Sequence, residues 1–184
     1  IGPQKIFNLL SKFHSFENIL IADIKDLQNV DGLNVILCNK IINQKKYFEE
    51  YRKNFDIEFE KLNKINARII TYFDDEYPEL LKNIYFPPII LYTVGNLELL
   101  KSNSISIVGT RVPSNYGKTI AEKFSIEISN KNIAIISGLA RGIDSIVHNS
   151  VLNNNGKTIA VIGTGIDVIY PPENKLLFER IRNE

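Results

Sequence analysis

Ile105-Ser106-Ile107-Val108-Gly109-Thr110-Arg111 is a short apolar run that breaks into a glycine turn, and the same event recurs twice downstream. Ile133-Ala134-Ile135-Ile136 opens into Ser137-Gly138-Leu139-Ala140-Arg141-Gly142, and Thr158-Ile159-Ala160-Val161-Ile162 opens into Gly163-Thr164-Gly165. A helix-period pattern follows each turn, so the stretch reads strand–turn–helix three times over. That alternation predicts a parallel sheet with crossover helices. Sheets of this kind bind ligands at the carboxyl ends of their strands, where these turns lie. Glycine turns beside helix N-termini expose backbone N–H groups, a surface that favours phosphate. With Arg111 and Arg141 inside two of the turns, the edge reads as a phosphate-binding groove.

Outward from this centre, one helix is expected over Tyr116 to Asn130, burying Ile120, Ala121, Phe124 and Ile128. A second, from Arg141 to Asn153, buries Ile143, Ile146, Val147 and Val151 and stops at Asn153-Asn154-Asn155-Gly156. A loop from Gly165 to Pro172 then leads to a helix from Glu173 to Ile181. Upstream, Arg68 to Phe73 and Ile89 to Gly95 read as strands that extend the sheet sideways. The acidic run Asp74-Asp75-Glu76 between them reads as a solvated turn and not a metal site. Residues 1–60 read as helical: Ile6, Leu9, Leu10 and Phe13 form one apolar face after Pro3, and a short helix covers Ser15 to Ile21. A turn at Asp31-Gly32 opens a longer helix with Val35, Cys38, Ile41, Ile42, Phe48, Tyr51 and Phe55 toward its core. A helix–glycine turn–helix can present amides to a DNA phosphate, but a small bundle whose hairpin only packs is the preferred reading. The organisation expected is therefore a helical domain over 1–60 and an α/β domain over 61–184.

The 184 residues, 44% hydrophobic and 23% charged, have the make-up of a soluble globular protein. No apolar run nears the roughly 20 residues of a membrane span, and no signal-peptide pattern is present. With one cysteine, Cys38, neither an internal disulfide nor a cysteine metal cluster can form, which fits a cytoplasmic location. Net charge is +1, with a slight basic excess after Ile105, so affinity for a polyanion must come from local placement of charge. The chain has no methionine and begins at Ile1. A sheet of three central strands would also leave an apolar edge bare. We expect a fragment, trimmed at both ends.

Other phosphate chemistries fit poorly. A dinucleotide fold wants G-x-G-x-x-G after its first strand and an acidic residue about 20 positions on. Here Arg111 takes the place of the second glycine, and Gly163-Thr164-Gly165 lacks the third. Gly117-Lys118-Thr119 and Gly156-Lys157-Thr158 invite a P-loop reading, yet the required upstream glycine is replaced by Val112 and Val151. G-x-S-x-G is absent, and Asp144 with His148 at i, i+4 reads as a helix-surface pair more readily than as a catalytic one. Arg111, directly after a strand-end glycine, is the sharpest single residue. A guanidinium there can take a phosphate bidentately, or can tie its loop to Asp144 or Asp167. Arg141 has Asp144 within one turn as a possible partner.

At these residues the chain resembles the DNA-processing protein A family, also called Smf. Ile107-Val108-Gly109-Thr110-Arg111 with Pro113, Tyr116 and Gly117 resembles its entry motif, and Ser137 to Asp144 followed by His148 resembles its second. Gly163-Thr164-Gly165-Ile166-Asp167-Val168-Ile169-Tyr170-Pro171 with Asn174 resembles the third. Thr110 and Ser114 exchange the usual serine and threonine, Ile146 and Val147 replace small residues, and Pro172 stands where a basic residue is common. The resemblance implies an extended Rossmann-like fold after a small sterile-alpha-motif or helix-hairpin-helix-like domain. It implies a non-catalytic binder of single-stranded DNA that dimerises and loads the recombinase RecA in natural transformation, with no cofactor and no metal. Phosphate would be held by Gly109, Thr110 and Arg111, by Gly138, Arg141 and Gly142, and by Gly163, Thr164 and Gly165. Tyr116, Asp144, Asp167, Tyr170 and Asn174 would support them. The alternative is an enzyme that binds or hydrolyses a nucleotide phosphate on a related fold. Such enzymes of the phosphoribohydrolase type carry a proline–glycine–glycine–x–glycine–threonine loop, which is absent here.

Overall fold

The computed structural model describes all residues from Ile1 to Glu184. The chain divides into two compact units, Ile1–Lys64 with Leu80–Ile90, and Ile65–Glu79 with Leu91–Glu184.

The first unit is helical: α1 (Pro3–Phe13), α2 (Phe16–Ile21), α3 (Ile24–Gln28), α4 (Val35–Gln44) and α5 (Phe48–Lys64). Its starts are written in the sequence. Ser15, Asp23 and Asn34 each accept a hydrogen bond from the backbone N–H three residues on, capping α2, α3 and α4. Leu9, Ile19, Ala22, Leu27, Val30 and Cys38 form the core. The longer helix expected after Gly32 is interrupted by a 3₁₀ turn at Lys45–Tyr47. Beyond it the periodicity misleads, because Phe48, Tyr51 and Phe55 are half-exposed, as is Val35 at the start of α4. Only Leu62 of α5 is buried. A repeat of 3.6 tells which residues share a face; it does not tell whether anything covers that face.

In the second unit, β1 (Arg68–Thr71) and β2 (Ile90–Thr93) form a two-stranded sheet of their own and do not extend the parallel one. The short α6 (Glu79–Lys82) lies between them in sequence, and from Leu80 on it belongs to the first unit. β2 alternates exposed and half-buried residues, unlike a strand covered on both faces. β1 ends where Asp74 accepts the Thr71 N–H at 2.7 Å, and Glu76 pairs with Arg68 at 3.3 Å. The acidic run thus closes a turn.

The parallel sheet contains β3 (Ser104–Ser106), β4 (Ala134–Ser137) and β5 (Thr158–Ala160) in that order. Ser104 is in register with Ala134, and Ile135 with Thr158. α7 (Asn115–Ser129) and α8 (Ile143–Asn153) make the crossovers, and α9 (Lys175–Asn183) follows β5. Ser114 caps α7 by accepting the Gly117 N–H. The buried face of α7 is small, with Ala121, Ser125 and Ser129 at successive turns, which lets α8 lie close. Phe124, expected inside, is 53% exposed. Ile135, Ile143, Val147 and Val151 complete this core, while Leu139, Leu152, Leu177 and Phe178 form another around α9. The result is a Rossmann-like α/β arrangement that sets three turns side by side at the carboxyl edge.

Candidate nucleic-acid interface

The three strand-end turns converge on one pocket of about 240 Å³. Arg111 comes from the first, Gly138, Ala140 and Arg141 from the second, and Ile162, Gly163 and Thr164 from the third, with Tyr170 and Pro171 closing the rim. The volume lies below the roughly 300–1,000 Å³ of drug-sized ligand sites, and suits a single phosphate with part of its sugar. Ala140 and Ile162 escape a motif search because nothing in their chemistry marks them. Only their place beside a strand end does.

Arg111 is exposed, and no hydrogen bond or ion pair holds its guanidinium; neither Asp144 nor Asp167 ties it down. The backbone N–H groups of Gly109, Thr110, Arg111, Gly138 and Gly163 find no acceptor within the chain. Arg141 differs. Its Nε and Nη2 grip both carboxylate oxygens of Glu173, the latter at 3.2 Å, and Asp144 takes no part. That pairing holds the Glu173 carboxyl below the usual carboxylate range and raises the guanidinium of Arg141 further.

The glycines divide by what surrounds them. A Cβ on Gly109 would strike Ile143 at 2.7 Å, and one on Gly138 would meet Asp144 Oδ2 at 2.8 Å. Gly142 lies under the first turn, whose Thr110 carbonyl accepts the Ile143 N–H at 3.1 Å and so caps α8. These three serve close internal packing, and one orphan donor of α8 is already satisfied. Gly165 faces Asp167, whose Oδ1 would be 2.8 Å from an added Cβ, and Thr164 donates to the Val168 carbonyl. Gly163 alone among the turn glycines opens on empty space.

The turn Gly138–Arg141 is anchored from below. Asp144, buried, accepts the Ala140 N–H at 3.3 Å. Ser145 donates to the Ala140 carbonyl, and the buried Asn174 donates to the Leu139 carbonyl and to Ser145 Oγ, each at 2.8 Å. Tyr116 is exposed and lies outside the pocket lining.

Asp144 and His148 do not form the surface pair their spacing suggests. Both are buried, and His148 bonds Thr158 instead, Nδ1 to Oγ1 at 2.7 Å. Thr158 gives its only proton to the Ile135 carbonyl, so Nδ1 carries the hydrogen and Nε2 is bare and unpartnered. Burial pushes the imidazole down to about 4. A neutral ring beneath the sheet is not placed to serve as a general base in the pocket. No group of His, Cys, Asp and Glu side chains is arranged to hold a metal, and no helix is long and apolar enough to cross a membrane.

The family model described as DNA recombination-mediator protein A matches residues 68–184, which carry this whole edge. The chain belongs to that family. Among DNA recombination-mediator protein A relatives, Protein Smf of a Synechocystis species is 37% identical over 188 residues, covering 100% of this chain and 46% of its own. The DNA processing protein DprA of Streptococcus pneumoniae is 38% identical over 168 residues, covering 91% of this chain and 55% of its own. The chain thus spans about half the length of these curated relatives. The crystal structure of the S. pneumoniae DprA superposes with a TM-score of 0.74 at 34% identity, over 100% of this chain and 60% of that one. A Helicobacter pylori DNA processing protein A, described for its single-stranded DNA binding mode, gives a TM-score of 0.55 at 28% identity, over 64% of this chain and 52% of that one.

Proposed function

We propose that this chain is a binding module for single-stranded DNA that captures backbone phosphate at the carboxyl edge of its parallel sheet. The observation that carries the reading is the meeting of an unpaired arginine, Arg111, with open Gly163 and unbonded turn amides at one pocket. Fixed N–H donors and a bidentate guanidinium are matched to a phosphate diester. The family supports the same direction, since a relative is described by its single-stranded DNA binding mode. Arg111, Gly163 and Thr164 make the direct contacts. Asp144 and Asn174 hold the second turn in place, Gly109 and Gly142 keep the first turn seated on α8, and Asp167 stands behind Gly165. Tyr170 offers a ring at the rim on which a base can stack. We further infer a role in DNA processing during transformation, with homodimerisation and delivery of the strand to RecA.

Phosphate contacts carry no base information, so binding should be nearly blind to sequence and steeply weakened by salt. A titration of labelled oligo-dT and a mixed-sequence oligonucleotide at several salt concentrations tests this. Gly163 supplies the sharpest control. Alanine there meets no atom within 4 Å and needs no unusual backbone angle, so folding stability should stay within about 0.5 kcal/mol. The added methyl nevertheless stands where the phosphate approaches, and the affinity should fall by roughly fivefold, the value of one hydrogen bond. Unchanged affinity in a folded Gly163→Ala protein would move the phosphate site elsewhere. Incubation with nucleoside monophosphates addresses the enzyme alternative, where release of free base would refute binding alone.

A further inference from the structure

Resting on the reading just given, we propose that Glu173 is an internal competitor for the strand: its carboxylate occupies Arg141 as a phosphate would, and DNA must displace it. Arg141 lines the pocket beside Gly138 and Gly163, so its guanidinium is on the path of the ligand. Two of its nitrogens are committed to the two oxygens of Glu173, with Nη2 to Oε2 at 3.2 Å. A carboxylate held by a guanidinium in this fork has the geometry with which arginine takes two phosphate oxygens. The two arginines of the pocket are therefore unequal, Arg111 open and Arg141 closed.

The contact is built to be reversible. Both side chains are about half-exposed, 54% and 51%, and exposed ion pairs are weak and screened by salt. Glu173 sits in the 3₁₀ turn Pro172–Asn174 directly before α9, and Asn174 pins that turn through the Leu139 carbonyl and Ser145. The backbone carrying Glu173 is thus fixed, while its side chain is free to swing into solvent. Release would expose a second guanidinium about one strand away from the first turn's arginine. Until then, part of the positive charge of the edge is cancelled from within.

The test is a binding cycle on the 184-residue chain with oligo-dT, using Glu173→Gln, Arg141→Ala and both together. Glu173→Gln keeps the size and polarity of the side chain and should leave the melting temperature close to that of the parent. It should tighten binding by roughly two- to fivefold at low salt. The slope of log affinity against log salt should stay close to the parent's, because the same phosphate meets Arg141 once the carboxylate is displaced. In the Arg141→Ala background the same change should bring no gain. A gain of equal size in that background would mean that Glu173 repels DNA at long range and does not compete for Arg141. Unchanged or weaker binding in Glu173→Gln would also overturn the proposal. If the parent chain itself fails to bind oligo-dT, the phosphate-groove reading falls as well, a result distinct from a parent that binds and a variant that does not improve.

Discussion

Replacing Arg111 with alanine is expected to weaken binding to every single-stranded oligonucleotide alike, by about 1.5–3 kcal/mol, the range for hydrogen bonds to charged groups. The size follows from what the residue has and lacks. Arg111 lines the pocket, yet nothing in the chain holds its guanidinium, so its hydrogen-bonding capacity is unspent in the free protein. A phosphate that reaches it gains a charge-assisted fork without breaking a prior contact. The slope of log affinity against log salt should flatten by roughly 0.7, the single-strand value for one lost phosphate contact. Arg111→Lys keeps the charge but not the planar fork, and its affinity should lie between parent and alanine. Folding should hardly change, because an exposed loop residue without intrachain partners adds little to the core. A lowered melting temperature with unaltered affinity per folded molecule would make Arg111 structural, and the groove would have to be placed elsewhere.

The turns themselves are legible in the sequence because the signal is local. A short, mainly apolar run that breaks within a residue or so into Gly109, Gly138 or Gly163 reads as a strand meeting a turn, and the helix period resumes within a few residues. The caps at Ser15, Asp23, Asn34 and Ser114 are equally local, each reaching the N–H three residues on, although hydrophobic periodicity alone names none of them. What the sequence conceals is non-local. Asp144 is the obvious partner for Arg141 at three residues, but the carboxylate it uses is Glu173, 32 residues on, brought back by the loop after β5. His148 reads as a surface residue until β5 is seen to place Thr158 against it. The aromatic stripe of α5 shares one face, as its spacing says, and stays half-exposed because burial depends on neighbours that periodicity does not name. Nor does spacing reveal what surrounds each turn glycine. Gly109, Gly138 and Gly163 each come within three residues of a strand end, yet only the last faces open space.

Gly142→Ala should have the opposite character, severe for folding. Gly142 has φ +79° and ψ −126°, a backbone region that side chains oppose and glycine enters freely. A Cβ there would stand 2.3 Å from the Thr110 carbonyl oxygen and 2.7 Å from the Arg111 carbonyl. Both are backbone atoms, so no rotamer change can relieve the overlap. The first turn must lift away from α8, and the hydrogen bond from the Ile143 N–H to the Thr110 oxygen breaks with it. Backbone strain of about 1–3 kcal/mol, with the lost bond and the overlap added, puts the destabilisation on the order of 3–5 kcal/mol. For a unit of this size, that corresponds to a fall in melting temperature of roughly 10 °C or more. Whatever fraction stays folded should also bind oligo-dT more weakly, since the displaced turn carries Arg111. Calorimetry beside Gly163→Ala makes the comparison direct, with the same methyl added to two turn glycines, one against backbone and one into open space. A Gly142→Ala protein that melts with the parent would show that the first turn does not rest on α8 through this crossing, and the placement of Arg111 in the pocket would lose its support.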